Sequence, residues 1–289
     1  ALESVQAQTY KNWELIFWDN QSTDKSAKIF KKFNNPRFKY YYAPNHTLLS
    51  EARNLAIERS TGEFLALLDV DDWWTHDKLE KQIPLFEDQE VGLVYSNYWY
   101  LLQGKKVKYL AYNEILPKGW CMDDILRNYC IGLLTIIVRS KIIKNINISF
   151  NSNLYAIEDF DFVVKLSKSW KIDCIQTPLA FFRNHTNNNS LSLKDKRIAE
   201  LKKWCDEAND DNIISGKKGL AVLKTMLVYQ EAAVNIERRN YKAAWLNAKE
   251  LNISILQLRL LLKLIVPDIL YNKVKMLYQI VYIKLKIFS

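Results

Sequence analysis

Apolar residues in the first 180 positions switch repeatedly between two periods. Glu14–Trp18, Phe38–Tyr42 and Phe64–Leu68 are short apolar runs rich in aromatic and aliphatic side chains, the pattern of buried strands. The segments between them predict a helix through Lys32 and another over Leu48–Ser60. Leu79, Ile83 and Phe86 recur at i, i+4 and i+7, so a further helix precedes a strand over Val91–Tyr100. Regular alternation of strand and helix predicts an α/β fold with a mainly parallel sheet covered by helices. A hairpin around Gly104, a strand over Leu134–Val138 and strands between Lys171 and Arg183 complete it.

After Ser192 only helical patterns remain until the end of the chain. Val222, Met226, Tyr229 and Ala233 form one stripe, and Tyr241, Ala244, Trp245 and Ala248 a second, predicting a helical hairpin with no second copy at a fixed period. Pro267 separates the apolar stretch Leu258–Val266 from the residues beginning at Ile269, predicting two final helices or a helix and a tail. The chain therefore divides into an α/β region over residues 1–192 and a helical region over 193–289.

Composition is that of a globular protein, with 49% hydrophobic and 25% charged residues in 289. Four cysteines without C-x-x-C spacing point to free thiols and a cytoplasmic setting, not to a zinc site or a redox motif. The longest uncharged run, Val91–Gly104, has 14 residues and contains Ser96, Asn97 and Gln103, so a spanning helix of about 20 apolar residues is not predicted. The net charge is +9, and Ser254–Ser289 holds six Lys or Arg against one Asp. Such a tail favours peripheral contact with an anionic membrane face, although Lys273 and Lys284 fall opposite Lys275 and Lys286 on a helix. No feature calls for nucleic acid.

Chemistry concentrates where Phe64–Leu68 runs into Asp69, Asp71 and Asp72. Three carboxylates at a strand end are costly unless a cation joins them, and hard oxygen ligands suit Mg²⁺ or Mn²⁺ with phosphate oxygens completing the shell. For an isolated Asp-x-Asp, capping and solvated turns would explain the same residues. In a parallel sheet, ligands collect beyond the carboxyl ends of the strands, where Asp19 also falls.

The surroundings of the acids go further. SEARNLAIERSTGEFLALLDVDDWW at Ser50–Trp74 resembles the core of family 2 glycosyltransferases, inverting enzymes with a GT-A fold. QTYKNWELIFWDNQSTDKS at Gln8–Ser26, the segment IEDFDFVVKL and the segment PLAFFRNHTNNNS are similar to further family elements, in the family's order, and the resemblance covers residues up to about Ser192. It implies a UDP-sugar donor, Mn²⁺ or Mg²⁺, a glycan or lipid-linked glycan acceptor, and work in the cytoplasm at the inner face of the membrane. Asp19 and Asn20 would meet the nucleoside, where the family usually has two acids. Ser22 and Asp24 are read as caps of the next helix. Arg53 in the ARN element would meet the diphosphate, where a guanidinium fork fits phosphate oxygens. Asp72 matches the metal ligand, Asp71 the position near the donor sugar or ribose, and Asp69 the first member of a DxDD variant. His185 in R-x-H returns to the metal side, with Arg183 beside it. Asp159 of the ED pair would be the general base; helix-dipole stabilisation and an i, i+4 pair of Asp161 with Lys165 are the ordinary account of its neighbours.

Two other readings stand beside this one. Nucleotidyl transfer would want a glycine-rich phosphate loop, and the chain's seven glycines form none. A binding protein without turnover would follow if half the nucleoside pocket were missing. Family members usually begin with a strand carrying a Pro-x-Tyr-Asn-like turn, and the resemblance places such a strand ahead of Ala1.

Overall fold

The structure is a computed structural model and describes residues 1–102, 108–146, 148–185 and 193–251. The predicted final helices about Pro267 lie outside these residues, as does the tip of the hairpin at Gly104. The first part of the chain gives α1 (Leu2–Gln6), β1 (Leu15–Asp19), α2 (Ser26–Phe30), β2 (Phe38–Tyr42), α3 (Leu49–Glu58), β3 (Phe64–Ala66) and β4 (Trp73–Trp74). Next come α4 (Lys78–Gln82), β5 (Val91–Leu102), β6 (Lys108–Leu110), α5 (Met122–Arg127), β7 (Ile137–Arg139), α6 (Ser140–Ile146), α7 (Glu158–Ser167) and β8 (Lys171–Asn184). Three helices follow: α8 (Lys194–Glu207), α9 (Lys218–Glu237) and α10 (Tyr241–Glu250).

Most predicted elements are present, with shorter helices than the periodicity suggests. The helix expected through Lys32 is only Ser26–Phe30. The stripe Leu79, Ile83 and Phe86 is split: α4 passes into a 3-10 turn over Ile83–Glu87 because Pro84 has no N–H to continue α-helical bonding. The α9–α10 pair is the helical hairpin expected from the two apolar stripes, and among the described residues no helix is long and apolar enough to cross a membrane.

The α/β fold carries a mixed sheet. β1 and β2 pair in parallel as a separate two-stranded sheet. The larger sheet runs β3-β7-β5-β8-β4 with β6 on β5, and only the long β5–β8 ladder in it is parallel. Alternation of strand and helix implies parallel neighbours only where successive strands join one sheet side by side. Here the short strands β4, β6 and β7 dock antiparallel onto the long pair, and β3 docks antiparallel onto β7. Between β1 and β3 lies a cavity of about 910 Å³, lined by Leu15, Ile16 and Phe17 of β1, by Phe64, Leu65 and Ala66 of β3, and by Ala1 with Leu2 and Val5 of α1.

The helices α8 and α9 are built into the main core, while α10 packs on α9 in a small cluster of its own. Leu201, Trp204 and Cys205 of α8 and Leu220 and Leu227 of α9 are buried in one cluster with Leu93 and Tyr95 of β5 and Phe160, Phe162 and Val163 of α7. Glu200 of α8 accepts the amides of Tyr155 and Ala156, which lead into α7. Gly219 marks the tightest approach: its amide donates to the Asp123 carboxylate at 2.7 Å, and a Cβ there would lie 2.2 Å from the Asp123 carbonyl oxygen. Alanine favours helix over glycine by up to about 1 kcal/mol, whereas overpacking costs typically about 1–3 kcal/mol. Backbone cannot move aside as a flexible side chain can, so Gly219→Ala is expected to lower stability by about 1–2 kcal/mol, read as a lower urea midpoint at unchanged slope.

Candidate active site

The acid turn follows from strand pairing. β3 ends at Ala66, the chain turns through Asp69, Asp71 and Asp72, and β4 docks antiparallel on β8 with Trp73 opposite Phe181 and Trp74 opposite Ala180. The Trp73 and Phe181 rings stack at 5.3 Å, and the Arg183 guanidinium lies 5.0 Å from the Trp73 ring centre. This register puts the Arg183 amide 2.9 Å from Asp72 Oδ1 and His185 Nε2 2.9 Å from Asp71 Oδ2. Two segments more than a hundred residues apart thus meet where the sequence expects a metal side.

Asp72 is only 2% exposed, and burial pushes its carboxyl up to about 7, with the charges of Asp71 and Asp69 adding to the effect against the hydrogen bond from the Arg183 amide. A buried acid held this high is short of positive charge. Among the described residues no three His, Cys, Asp or Glu side chains form a closed metal cage. The arrangement nevertheless fits a hard divalent ion of the open kind, held by one or two carboxylates with substrate phosphates filling the remaining positions. Asp72 is the carboxylate that would meet such an ion, with Asp71 and His185 paired to each other beside it.

Arg53 of α3 links this turn to the second acidic segment. One guanidinium nitrogen donates to Glu158 Oε1 at 2.8 Å and the other reaches Asp69 Oδ1 at 3.3 Å. Burial works against the Arg53 cation, but Asp69 and Glu158 outweigh it and hold its pKa above the ordinary value. Arg53 therefore already spends donors on two carboxylates, a role the expected diphosphate contact does not include.

Glu158, Asp159 and Asp161 occupy the first turn of α7, where the helix N-terminus favours anions. Burial raises the pKa of both Glu158 and Asp159. The Asp159 carboxylate accepts the Phe160 amide at 2.8 Å on Oδ1 and the Tyr129 hydroxyl at 3.3 Å on Oδ2. Asp161 is buried and already satisfied by Lys165 Nζ at 2.6 Å and Trp204 Nε1 at 3.0 Å, the structural role its i, i+4 spacing predicts.

The nucleoside side is more closed than the sequence suggests. Asp19 is buried; burial alone would raise its pKa, but hydrogen bonds from the Tyr40 hydroxyl and from Ser22 bring it below the usual value. Asn20 crosses to Thr47, donating to its carbonyl at 2.8 Å and accepting its amide at 3.2 Å. Both side chains hold the loops that follow β1 and β2. Of the two expected caps, Asp24 accepts the Ser26 amide at the start of α2, and Ser22 instead closes the turn on Asp19.

Residues 1–145 match the description Glycosyl transferase family 2. The chain belongs to that family and is a glycosyltransferase. It is 28% identical over 211 residues to the Escherichia coli UDP-Glc:alpha-D-GlcNAc-diphosphoundecaprenol beta-1,3-glucosyltransferase WfgD, covering 73% of this chain and 79% of that one. WfaP of the same organism, with the same described activity, is 38% identical over 101 residues, which are 34% of this chain and 39% of WfaP. The fold is similar to that of Staphylococcus aureus TarS 1-349 in complex with UDP-GlcNAc, at TM-score 0.64 and 17% identity over 96% of this chain and 86% of that one. It is also similar to the mannosyltransferase PcManGT from Pyrobaculum calidifontis in complex with GDP-Man and Mn²⁺, at TM-score 0.59 and 15% identity over 86% of this chain and 74% of that one.

Tyr129 and Tyr40 are the site residues that sequence reasoning missed. Neither lies in an acidic or basic motif, and only the fold carries their hydroxyls to Asp159 and Asp19. Asp72 generates a prediction for the metal-free protein. Its folded pKa lies above the unfolded value, so the folded state holds the extra proton and stability falls as pH rises from about 4 to about 7. Asp72→Asn removes that penalty and keeps an acceptor for the Arg183 amide. Metal-free Asp72→Asn should therefore melt at or above the parent at pH 8, with the difference shrinking towards pH 4 in scanning calorimetry.

Proposed function

We propose that this chain moves a sugar, glucose first among the candidates, from a UDP-sugar to a hydroxyl of a lipid-linked glycan acceptor, inverting the anomeric carbon. The observation that carries this reading is the Arg53 bridge, which ties a carboxylate of the acid turn to one in the first turn of α7. The activities described for WfgD and WfaP support the donor and the class of acceptor. The GDP-Man and Mn²⁺ complex with a similar fold supports the kind of ligand that such a fold takes.

Asp159 acts as the base, taking the proton from the acceptor hydroxyl as that oxygen attacks the anomeric carbon. The bond from that carbon to the diphosphate breaks in the same displacement, so no sugar is held covalently on the protein. A divalent ion held at Asp72, with Asp71 and His185 beside it, would neutralise charge growing on the leaving diphosphate. Asp69 and Arg53 position the turn, and Asp19 and Asn20 shape the nucleoside loops.

The test is transfer from radiolabelled UDP-glucose to a synthetic GlcNAc-diphosphate lipid with Mn²⁺, using the full chain. Asp159→Asn is expected to lower transfer about 10²-fold or more while donor affinity by calorimetry survives, and Asp161→Asn far less. Donor binding without transfer in the parent, across acceptors, would favour a binding protein instead. Transfer at the parent rate in Asp72→Asn with EDTA would remove the metal from the reaction.

The C-terminal region is proposed to meet the membrane face that carries such an acceptor. Exposed Tyr241, Trp245 and Leu246 on α10 and the basic residues after Ser254 support this. Flotation with anionic vesicles is expected to exceed that with neutral ones, and no flotation with either would reject the contact.

A further inference from the structure

Tyr129 follows α5 and directs its hydroxyl at the proposed base. We infer that Tyr129 is a positioning residue for Asp159: its hydroxyl fixes one carboxylate oxygen, so that the remaining lone pairs face the acceptor. The inference rests on the proposed role of Asp159 as base.

The geometry is that of a carboxylate held at both ends. Oδ1 takes the Phe160 amide at 2.8 Å and Oδ2 takes the Tyr129 hydroxyl at 3.3 Å. An ionised carboxylate offers about four lone-pair sites, so two hydrogen bonds set the rotation of the group and leave acceptor capacity unspent. Tyr129 is itself held. Its ring meets the Phe160 ring edge-to-face at 5.4 Å, and its carbonyl accepts the Tyr112 hydroxyl at 3.4 Å. A rigid ring on a buried neighbour gives the hydroxyl little freedom to leave the carboxylate.

The charges around Asp159 give Tyr129 a second effect. Burial favours the protonated acid, whereas Arg53 of α3 and the Tyr129 hydroxyl favour the anion. Glu158 beside it on α7, Tyr98 of β5 and Tyr112 complete the titratable groups coupled to it. Burial and the Asp159 charge raise Tyr129 well above an ordinary tyrosine, so it remains a donor throughout the working range. A base must be ionised to take a proton, and the hydroxyl helps to keep Asp159 so. Removing the donor should therefore raise the pH below which transfer fails.

Three variants in the same transfer assay test this across pH 5–9: Tyr129→Phe, Tyr129 replaced by 3-fluorotyrosine, and Asp159→Asn. Tyr129→Phe is expected to move the acid limb of kcat up by about one pH unit, a loss of about tenfold in kcat on that limb, with donor KM little changed. The fluorinated phenol keeps the shape and is a stronger donor, so its limb should move down. A side chain that only packs would not shift the limb in opposite directions. Should Tyr129→Phe fail to fold, the fluorotyrosine arm decides alone, and an unmoved limb there overturns the inference. If Asp159→Asn abolishes transfer while neither tyrosine substitution moves the limb, Tyr129 has no positioning role and the base survives. If Asp159→Asn transfers at the parent rate, there is no base to position and both assignments fall.

Discussion

The Arg53 bridge is the contact on which the site depends. Asp69 belongs to the turn after β3 and Glu158 to the first turn of α7, and the guanidinium between them ties the two segments together. A planar fork with several donors suits this task better than a lysine, whose single ammonium would have to choose between the carboxylates. Glu158 is nearly buried, and leaving it without its cation would strand a charge in the interior. The same cation offsets part of the cost of ionising Asp159 one residue along, so Arg53 couples architecture to the electrostatics of the proposed base.

A second constraint is the register of the two-residue strand β4 against β8. It seals Trp73 on Phe181, delivers a backbone amide to Asp72 and ends β8 at the acid turn, so that His185 reaches Asp71. A slip by one residue would turn those side chains to the opposite face. Asp72 is thereby kept buried in a state that favours either a proton or a cation, which suits a site meant to receive a charged ligand and costs stability when that ligand is absent.

The helices after residue 192 contribute to both. Trp204 of α8 reaches through the core to the carboxylate of Asp161, and Glu200 takes the amides that lead into α7. Buried in the same apolar cluster as β5 and α7, α8 and α9 fix the helix that carries Asp159, while α10 packs on α9. A boundary drawn at the change in sequence texture thus separates two compositions that share one core.

The sequence by itself determined the acid turn, the ED segment, the R-x-H segment and nearly every strand, because apolar period and charge clustering are local properties of consecutive residues. It also marked Asp161 with Lys165 as an i, i+4 pair. Tertiary structure decided what local pattern does not encode. Pairing direction depends on which strands become neighbours, so the mixed sheet and the divided β1–β2 unit were not readable from alternation. The partners of Asp19, Asn20 and Arg53 come from segments distant in sequence, and they turned expected ligand contacts into contacts that also hold the site together. Tyr129 carries no motif at all; it gains meaning only because the chain after α5 and the start of α7 fold against each other, within reach of one hydrogen bond.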